Sequence, residues 1–152
     1  MAADDTDVDV LLVEDNPNDA ELTMRALRAS VRGERFLHAE DGVKALGMLF
    51  AEGDAPARLA KLPRMILLDL KLPKLDGLEV LRRVKQDERT RSIPVVVLTS
   101  SREERDILES YRLGANSYLV KPVGFEEYIA AIKEACRYWL VLNQPPLPGA
   151  AR

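Results

Sequence analysis

The chain has 152 residues, of which 47% are hydrophobic and 31% charged, and a formal net charge of −3. That length suits one domain with a proper core, and a mildly acidic chain without a basic block is a poor partner for duplex nucleic acid. One cysteine, Cys136, excludes an internal disulfide, and the start (Asp4, Asp5, Asp7, Asp9) lacks the positive flank and apolar stretch of a secretory signal. No apolar run approaches the length of a membrane span, so a cytoplasmic protein is expected.

Strand and helix patterns alternate along the chain, the signature of βα units on a parallel sheet. After a flexible acidic tail (residues 1–7), a first strand runs from about Val8 to Val13. Asn16-Pro17 then opens a helix, with Asn as cap and Pro at the first helical position. Its inward face is Ala20, Met24, Leu27 and Val31, at helical spacing. Phe36 to Glu40 reads as a weaker second strand. Asp41-Gly42 leads into a helix carrying Ala45, Leu46, Leu49 and Phe50. Gly53 to Arg64 reads as a loop inserted near Pro56, with a short helical piece around Arg58 to Leu62.

The run Met65-Ile66-Leu67-Leu68 ends on Asp69, and the turn Leu72-Pro73-Lys74-Leu75-Asp76-Gly77 follows. The next helix spans Gly77 to Gln86 with Leu78, Leu81 and Val84 on its apolar side. Pro94 introduces a fourth strand, Val95 to Thr99. Ser101-Arg102-Glu103-Glu104 has the spacing of a capping box, and the helix it opens stops at Gly114. A fifth strand covers Asn116 to Val120. The last helix runs from Phe125 to about Leu142, and the prolines beyond it leave a Pro-rich tail, residues 144–152. The whole is a doubly wound α/β domain, a flavodoxin-like five-stranded parallel sheet covering residues 8–143. Strands one, three, four and five read as nearly continuous apolar runs and are expected to be buried.

Four polar sites terminate four of these strands: Glu14-Asp15, Asp69, Thr99 and Lys121. In an open α/β sheet they would meet at the carboxyl edge, where ligands bind. Three acids gathered there repel one another unless a cation joins them. Mg²⁺, with Mn²⁺ as a permitted substitute, suits one or two carboxylates plus retained waters and a phosphate oxygen. Asp15 and Asp69 are the expected direct ligands, and Glu14 acts through water. A carboxylate can itself be the nucleophile in phosphoryl transfer, whose transition state needs charge neutralisation and positioning. Lys121 supplies a mobile point charge and Thr99 a hydroxyl for the phosphoryl oxygens. Singly, each residue has a plainer reading: a helix cap for Asp69, a solvated turn for Glu14-Asp15, a strand-end hydroxyl for Thr99, a surface lysine for Lys121. Four at four strand ends are harder to explain that way.

The segments Leu11-Leu12-Val13-Glu14-Asp15-Asn16, Ile66-Leu67-Leu68-Asp69-Leu70 with Leu72-Pro73, Val97-Leu98-Thr99-Ser100 and Gly114 through Pro122 resemble the receiver domain of two-component response regulators. The resemblance covers about Val8 to Ile132. It implies phosphotransfer from a sensor histidine kinase's phosphohistidine to Asp69, with the metal held by Asp15, Asp69 and the Lys71 backbone carbonyl. It implies a Thr99–Tyr118 switch pair, although a buried strand tyrosine is the plain reading of Tyr118. It also implies a cis peptide before Pro122.

Lys71 follows the acceptor by two positions, where the family often has smaller or amide side chains. There it can alter the access of hydrolytic water, or simply be solvated. No output domain is expected after the receiver. The last helix carries two apolar stripes: Phe125, Ile129, Ile132, Cys136 and Leu140, and Tyr128, Ala131, Ala135, Tyr138 and Leu142 beside Trp139. One stripe suffices to pack a helix, so the second suggests a partner surface, with Tyr128, Tyr138, Trp139 and Leu142 as homodimer contacts. The Tyr138-Trp139-Leu140 segment before the prolines, and the insertion near Pro56, resemble small regulators that partner phytochrome-type kinases such as a bacteriophytochrome. Those dimerise through the fourth helix, fifth strand and fifth helix. His38 reads as a packing residue, Cys136 as a packed thiol, and the run Arg102 to Glu109 as a solvated face. Two alternatives share the site: a phosphate sink or phosphorelay intermediate without a binding output, and a Mg²⁺-dependent aspartyl-phosphate phosphatase. The phosphatase reading lacks a second acid two positions after Asp69.

Overall fold

Five short runs become strands. They are β1 (Val10–Val13), β2 (Phe36–Ala39), β3 (Met65–Leu68), β4 (Val95–Thr99) and β5 (Ser117–Val120) in a computed structural model. The three central ones, β1, β3 and β4, are buried throughout because both of their faces are covered. The structure describes residues 8–30, 35–51, 59 and 61–146. The tails 1–7 and 147–152, Val31, and the whole stretch from Gly53 to Arg58 with its Pro56 insertion lie outside the described residues, as does part of the helical piece expected around Arg58 to Leu62. The strands alternate with α1 (Pro17–Arg28), α2 (Gly42–Phe50), α3 (Gly77–Gln86), α4 (Glu104–Leu113) and α5 (Phe125–Arg137).

All four strand pairings are parallel, in the order β2-β1-β3-β4-β5. Side chains alternate across the sheet, so each central strand feeds two cores. Val10, Leu12, Met65, Leu67, Val96 and Leu98 meet α1 and α5 on one face. Leu11, Val13, Ile66, Leu68, Val95 and Val97 meet α2 and α3 on the other. This is the flavodoxin-like doubly wound sheet that the alternating patterns imply. β5 corrects one expectation. It is only half-buried, because it lies at the sheet edge with β4 as its one neighbour.

Local chemistry sets the helix starts. Side-chain oxygens of Asn16, Asp41 and Asp76 accept from the backbone N–H groups of Asp19, Lys44 and Glu79 at 3.0, 2.8 and 3.1 Å, satisfying donors that a helix leaves free at its N-terminus. The expected capping box at Ser101 does not form. α4 starts later, Glu103 caps it without a side-chain bond, and Ser101 Oγ instead accepts from Glu103 N–H and donates to the Asp106 carboxylate. Asp106 competes for the serine because it is buried and needs a donor. Gly114 ends α4 with φ of 109°, a conformation glycine adopts without penalty.

The last helix also departs from its expected form. Its α-helical part stops at Arg137, and Tyr138–Leu142 widens into a π-helical turn. Arg64, just before β3, donates to the Leu140 carbonyl at 2.6 Å and pairs with Asp9 at 3.3 Å. The Leu140 side chain is buried in the core beside Cys136 and Ile132, while Tyr138, Val141 and Leu142 face outward.

Candidate functional site

Parallel register brings the four strand ends to one edge. Val13 pairs with Leu68, Leu68 with Val97, and Thr99 with Val120. Backbone bonds extend the ladder one residue further, from Asp69 N–H to Val13 O, from Lys121 N–H to Thr99 O, and from Glu14 N–H to Ala39 O. Glu14, Asp69, Thr99 and Lys121 are all buried there, although each is polar. Burial of such groups demands partners, and the site supplies them to one another.

Lys121 is the hub. Its Nζ lies 2.8 Å from Glu14 Oε1, 2.7 Å from Asp19 Oδ2 and 3.0 Å from Asp69 Oδ2. Burial alone would weaken its proton affinity, but the Asp19 and Glu14 carboxylates it bonds, with Asp69 nearby, hold the ammonium well above the ordinary lysine range. Glu14 is pushed the other way. Its burial, together with the nearby Asp69, raises the carboxyl to about 7 against the pull of Lys121. The second Glu14 oxygen accepts from Asn16 N–H at 3.1 Å, and the His38 ring bonds the Glu14 carbonyl at 2.7 Å.

Asp69 shares one oxygen with Lys121 and accepts from the Lys71 backbone N–H on the other at 3.3 Å. The loop after it is tightly wound. A Cβ on Gly77 would lie 2.2 Å from the Asp69 carbonyl and 2.6 Å from Leu70 Cα, so only glycine lets α3 start against the backbone of the acidic strand end. Glu14, Asp15 and Asp69 each present a carboxylate oxygen within 4.8 Å of the others. Asp15 is exposed whereas Glu14 and Asp69 are buried. This donor set, hard oxygens with one open side, fits a divalent cation.

Thr99 is fully buried, and its Oγ1 accepts a long bond from Ser101 N–H at 3.4 Å. Tyr118 is half-buried and donates to the Ser101 carbonyl at 3.0 Å. Both sides of the expected switch pair therefore touch the same β4–α4 loop. Lys71 pairs with Asp106 on α4 at 3.6 Å.

Three expectations are corrected here. Tyr128 is no surface residue. It is buried, its hydroxyl lies 3.1 Å from Thr23 Oγ1, and burial pushes it up to about 12, so it joins α5 to α1. Phe125, assigned to the packed stripe, is exposed and lies under the Arg25 guanidinium at 5.7 Å. The rest of that stripe, Ile129, Ile132, Cys136 and Leu140, packs on the sheet and α1, with Tyr128 in place of Phe125. The peptide before Pro122 is trans, since no cis bond occurs among the described residues. Trans is the form X–Pro bonds favour by about 0.5–1 kcal/mol. Cys136 is buried as expected. The residue that sequence reading missed is Asp19. An acid in a first helical turn reads as a favourable end charge, and nothing in its spacing points to Lys121.

A family model described as the response regulator receiver domain matches residues 10–133. The chain is a response-regulator receiver domain. The receiver is 46% identical over 141 residues to the probable methanogenesis regulatory protein FilR2 of Methanothrix harundinacea, covering 92% of this chain and 88% of that one. It is 37% identical to the response regulator Rcp1 of Synechocystis, covering 86% and 88%. Among solved structures, the phosphorylated cyanobacterial phytochrome response regulator RcpA superposes with a TM-score of 0.85 at 38% identity, covering 92% and 99%. The Mn²⁺-bound form of Rcp1 gives 0.79 at 36% identity, covering 90% and 97%. The bacteriophytochrome response regulator RtBRR gives 0.71 at 50% identity, covering 93% and 86%. The receiver thus belongs to a signalling family whose general role is to be phosphorylated by histidine kinases, and it is similar to phytochrome response regulators. No helix among the described residues is long and apolar enough to cross a membrane.

Proposed function

We propose that Asp69 is the phosphoryl acceptor, served by a sensor histidine kinase in the cytoplasm, and that a phytochrome-type kinase is that partner. The observation that carries this is the buried Asp69 carboxylate, with the Lys121 ammonium 3.0 Å from one oxygen and the Glu14–Asp15 acids beside it. In the transfer an Asp69 oxygen attacks the phosphorus. The phosphorus–nitrogen bond of the phosphohistidine breaks, and its electron pair stays on the imidazole. The carboxylate has no proton to lose, so the pocket has only to orient and neutralise. Lys121, already at Asp69, meets one phosphoryl oxygen, and the Thr99 hydroxyl a second. The Lys71 N–H holds the other Asp69 oxygen.

Mg²⁺, or Mn²⁺ in its place, would be held by Asp15, Asp69 and the Lys71 carbonyl. Glu14, whose two oxygens bond Lys121 and the Asn16 N–H, would act through water. The bound cation offsets negative charge on the phosphoryl group. Thr99 and Tyr118 are the switch, because both bond the Ser101 segment that leads into α4. Tyr138, Trp139 and Leu142 form a homodimer surface. Tyr138 and Leu142 are 49% and 59% exposed on the π-helical turn, and Tyr138 packs edge-on against Trp139 at 4.9 Å. The similarity to RcpA, Rcp1 and RtBRR supports the phytochrome assignment.

The test is intact mass after incubation with a small phosphodonor, with and without Mg²⁺, beside Asp69→Asn. One added phosphoryl group that needs both Mg²⁺ and Asp69 is expected. An adduct of equal yield on Asp69→Asn would move the acceptor elsewhere.

A further inference from the structure

Lys71 and Asp106 face each other across a cleft of about 710 Å³, with Leu70, Lys71 and Leu72 on one bank and Arg105, Asp106 and Glu109 on the other. The two partners are unlike. Asp106 is buried on the first turn of α4, with its side chain 11% exposed, whereas the Lys71 side chain is 63% exposed. Asp106 is also held by Ser101, whose Oγ donates at 2.6 Å to the same Oδ2 that Lys71 approaches. Ser101 is in turn held through its carbonyl by Tyr118. Asp106 is therefore the rigid half of the pair, and Lys71 is the half that can move. The root of Lys71 is anchored at the acceptor, because its backbone N–H bonds Asp69 Oδ1. A lysine ammonium rides on a flexible four-carbon stem. From that root it can reach either Asp106 or a group carried on Asp69.

We propose that Asp106 is a positioning residue for Lys71, parking its ammonium on α4 and away from the acceptor, and that a phosphoryl group on Asp69 competes with Asp106 for that ammonium. This rests on Asp69 being the acceptor. A phosphoryl group brings about two negative charges and three strong acceptor oxygens, against the one charge of Asp106. While Lys71 sits on Asp106 the phosphoryl group lacks its shield. Loss then proceeds with a water oxygen bonding phosphorus and the phosphorus–Asp69 oxygen bond breaking. The electron pair returns to the carboxylate, and the water's proton leaves with the phosphate or to solvent. When Lys71 moves to the phosphoryl oxygens it covers that approach, and Asp106 with its Ser101 loop is released. Phosphoryl lifetime and the position of the first turn of α4 are then set by one lysine.

The experiment is a double-mutant cycle on the full chain: wild type, Asp106→Asn, Lys71→Met and the double variant. Each is loaded with a small phosphodonor and Mg²⁺, and loss of the adduct is followed by intact mass. Asp106→Asn keeps the shape and the Ser101 bond while removing the charge that holds Lys71. It is expected to lengthen the lifetime roughly three- to fivefold, the range of a part-exposed ion pair. In the Lys71→Met background the same substitution is expected to change nothing. Equal decay of wild type and Asp106→Asn would overturn the inference. So would an Asp106→Asn effect of the same size without Lys71, which would make it a matter of general charge. If the wild type takes up no phosphoryl group, the acceptor reading fails and this inference fails with it. If it does, a null in the cycle removes only the role of Asp106.

Discussion

Three carboxylates share the Lys121 ammonium, so Lys121→Met leaves Glu14 and Asp69 buried without their counter-charge. Removing one partner of a buried ion pair costs about 3 kcal/mol or more. Urea denaturation in a chelator should show that loss. Mg²⁺ should restore part of it, because a cation that binds only the folded form stabilises it. Glu14 adds a pH dependence whose sign follows from its position near 7. The folded carboxyl holds its proton more tightly than an unfolded one, whose ordinary value is 4.5. Its contribution is therefore full below about pH 4.5 and is lost as pH rises through 7. The metal-free protein is expected to lose stability over that window, and Glu14→Gln should flatten the decline in thermal melts. An unchanged slope in Glu14→Gln would assign the decline to another group.

At the scale of elements, α5 owes its orientation to α1. The Tyr128 hydroxyl and Thr23 Oγ1 meet 3.1 Å apart inside the core shared by the two helices. Tyr128→Phe is expected to cost about 1 kcal/mol, the net worth of a buried hydrogen bond, since the Thr23 hydroxyl keeps its bond to the Asp19 carbonyl at 2.9 Å. It should leave the sedimentation behaviour unchanged, since Tyr128 presents nothing to a partner. Chevron or equilibrium unfolding measures the first point and analytical ultracentrifugation the second. The helix starts were legible because their caps are local. Asn16, Asp41 and Asp76 each bond a backbone group three residues on. The start of α4 was not, because Ser101 faced a choice between its own helix and Asp106. That choice depends on how deeply Asp106 is buried.

At the scale of the whole molecule, the exposed end of the last helix is the surface assigned to a second copy. Tyr138, Val141 and Leu142 are 49%, 45% and 59% exposed on the π-helical turn, beside a buried Leu140. Leu142→Asp with Tyr138→Ser is expected to shift the sedimentation coefficient to that of a monomer while leaving the phosphoryl adduct at Asp69 intact. A dimer that survives both changes would place the interface elsewhere. The two surfaces are separable because Asp69, the proposed acceptor, lies at the carboxyl edge of the sheet, whereas Arg64 ties the π-helical turn to the start of β3.

The sequence by itself determined the alternation of strands and helices, and with it the sheet edge where Glu14, Asp69, Thr99 and Lys121 gather. Those follow from apolar runs, side-chain period and local caps, all of which act over a few residues. Only the tertiary structure decided that Asp19 joins Lys121 from 102 residues away, that Asp106 reaches back to Lys71, and which face of α5 is covered. Each of these is a contact between elements whose rotation about their axes is set by packing. A periodic pattern offers two adjacent stripes on a helix such as α5, and packing covers a face that combines them, Tyr128 of one with Ile132, Cys136 and Leu140 of the other.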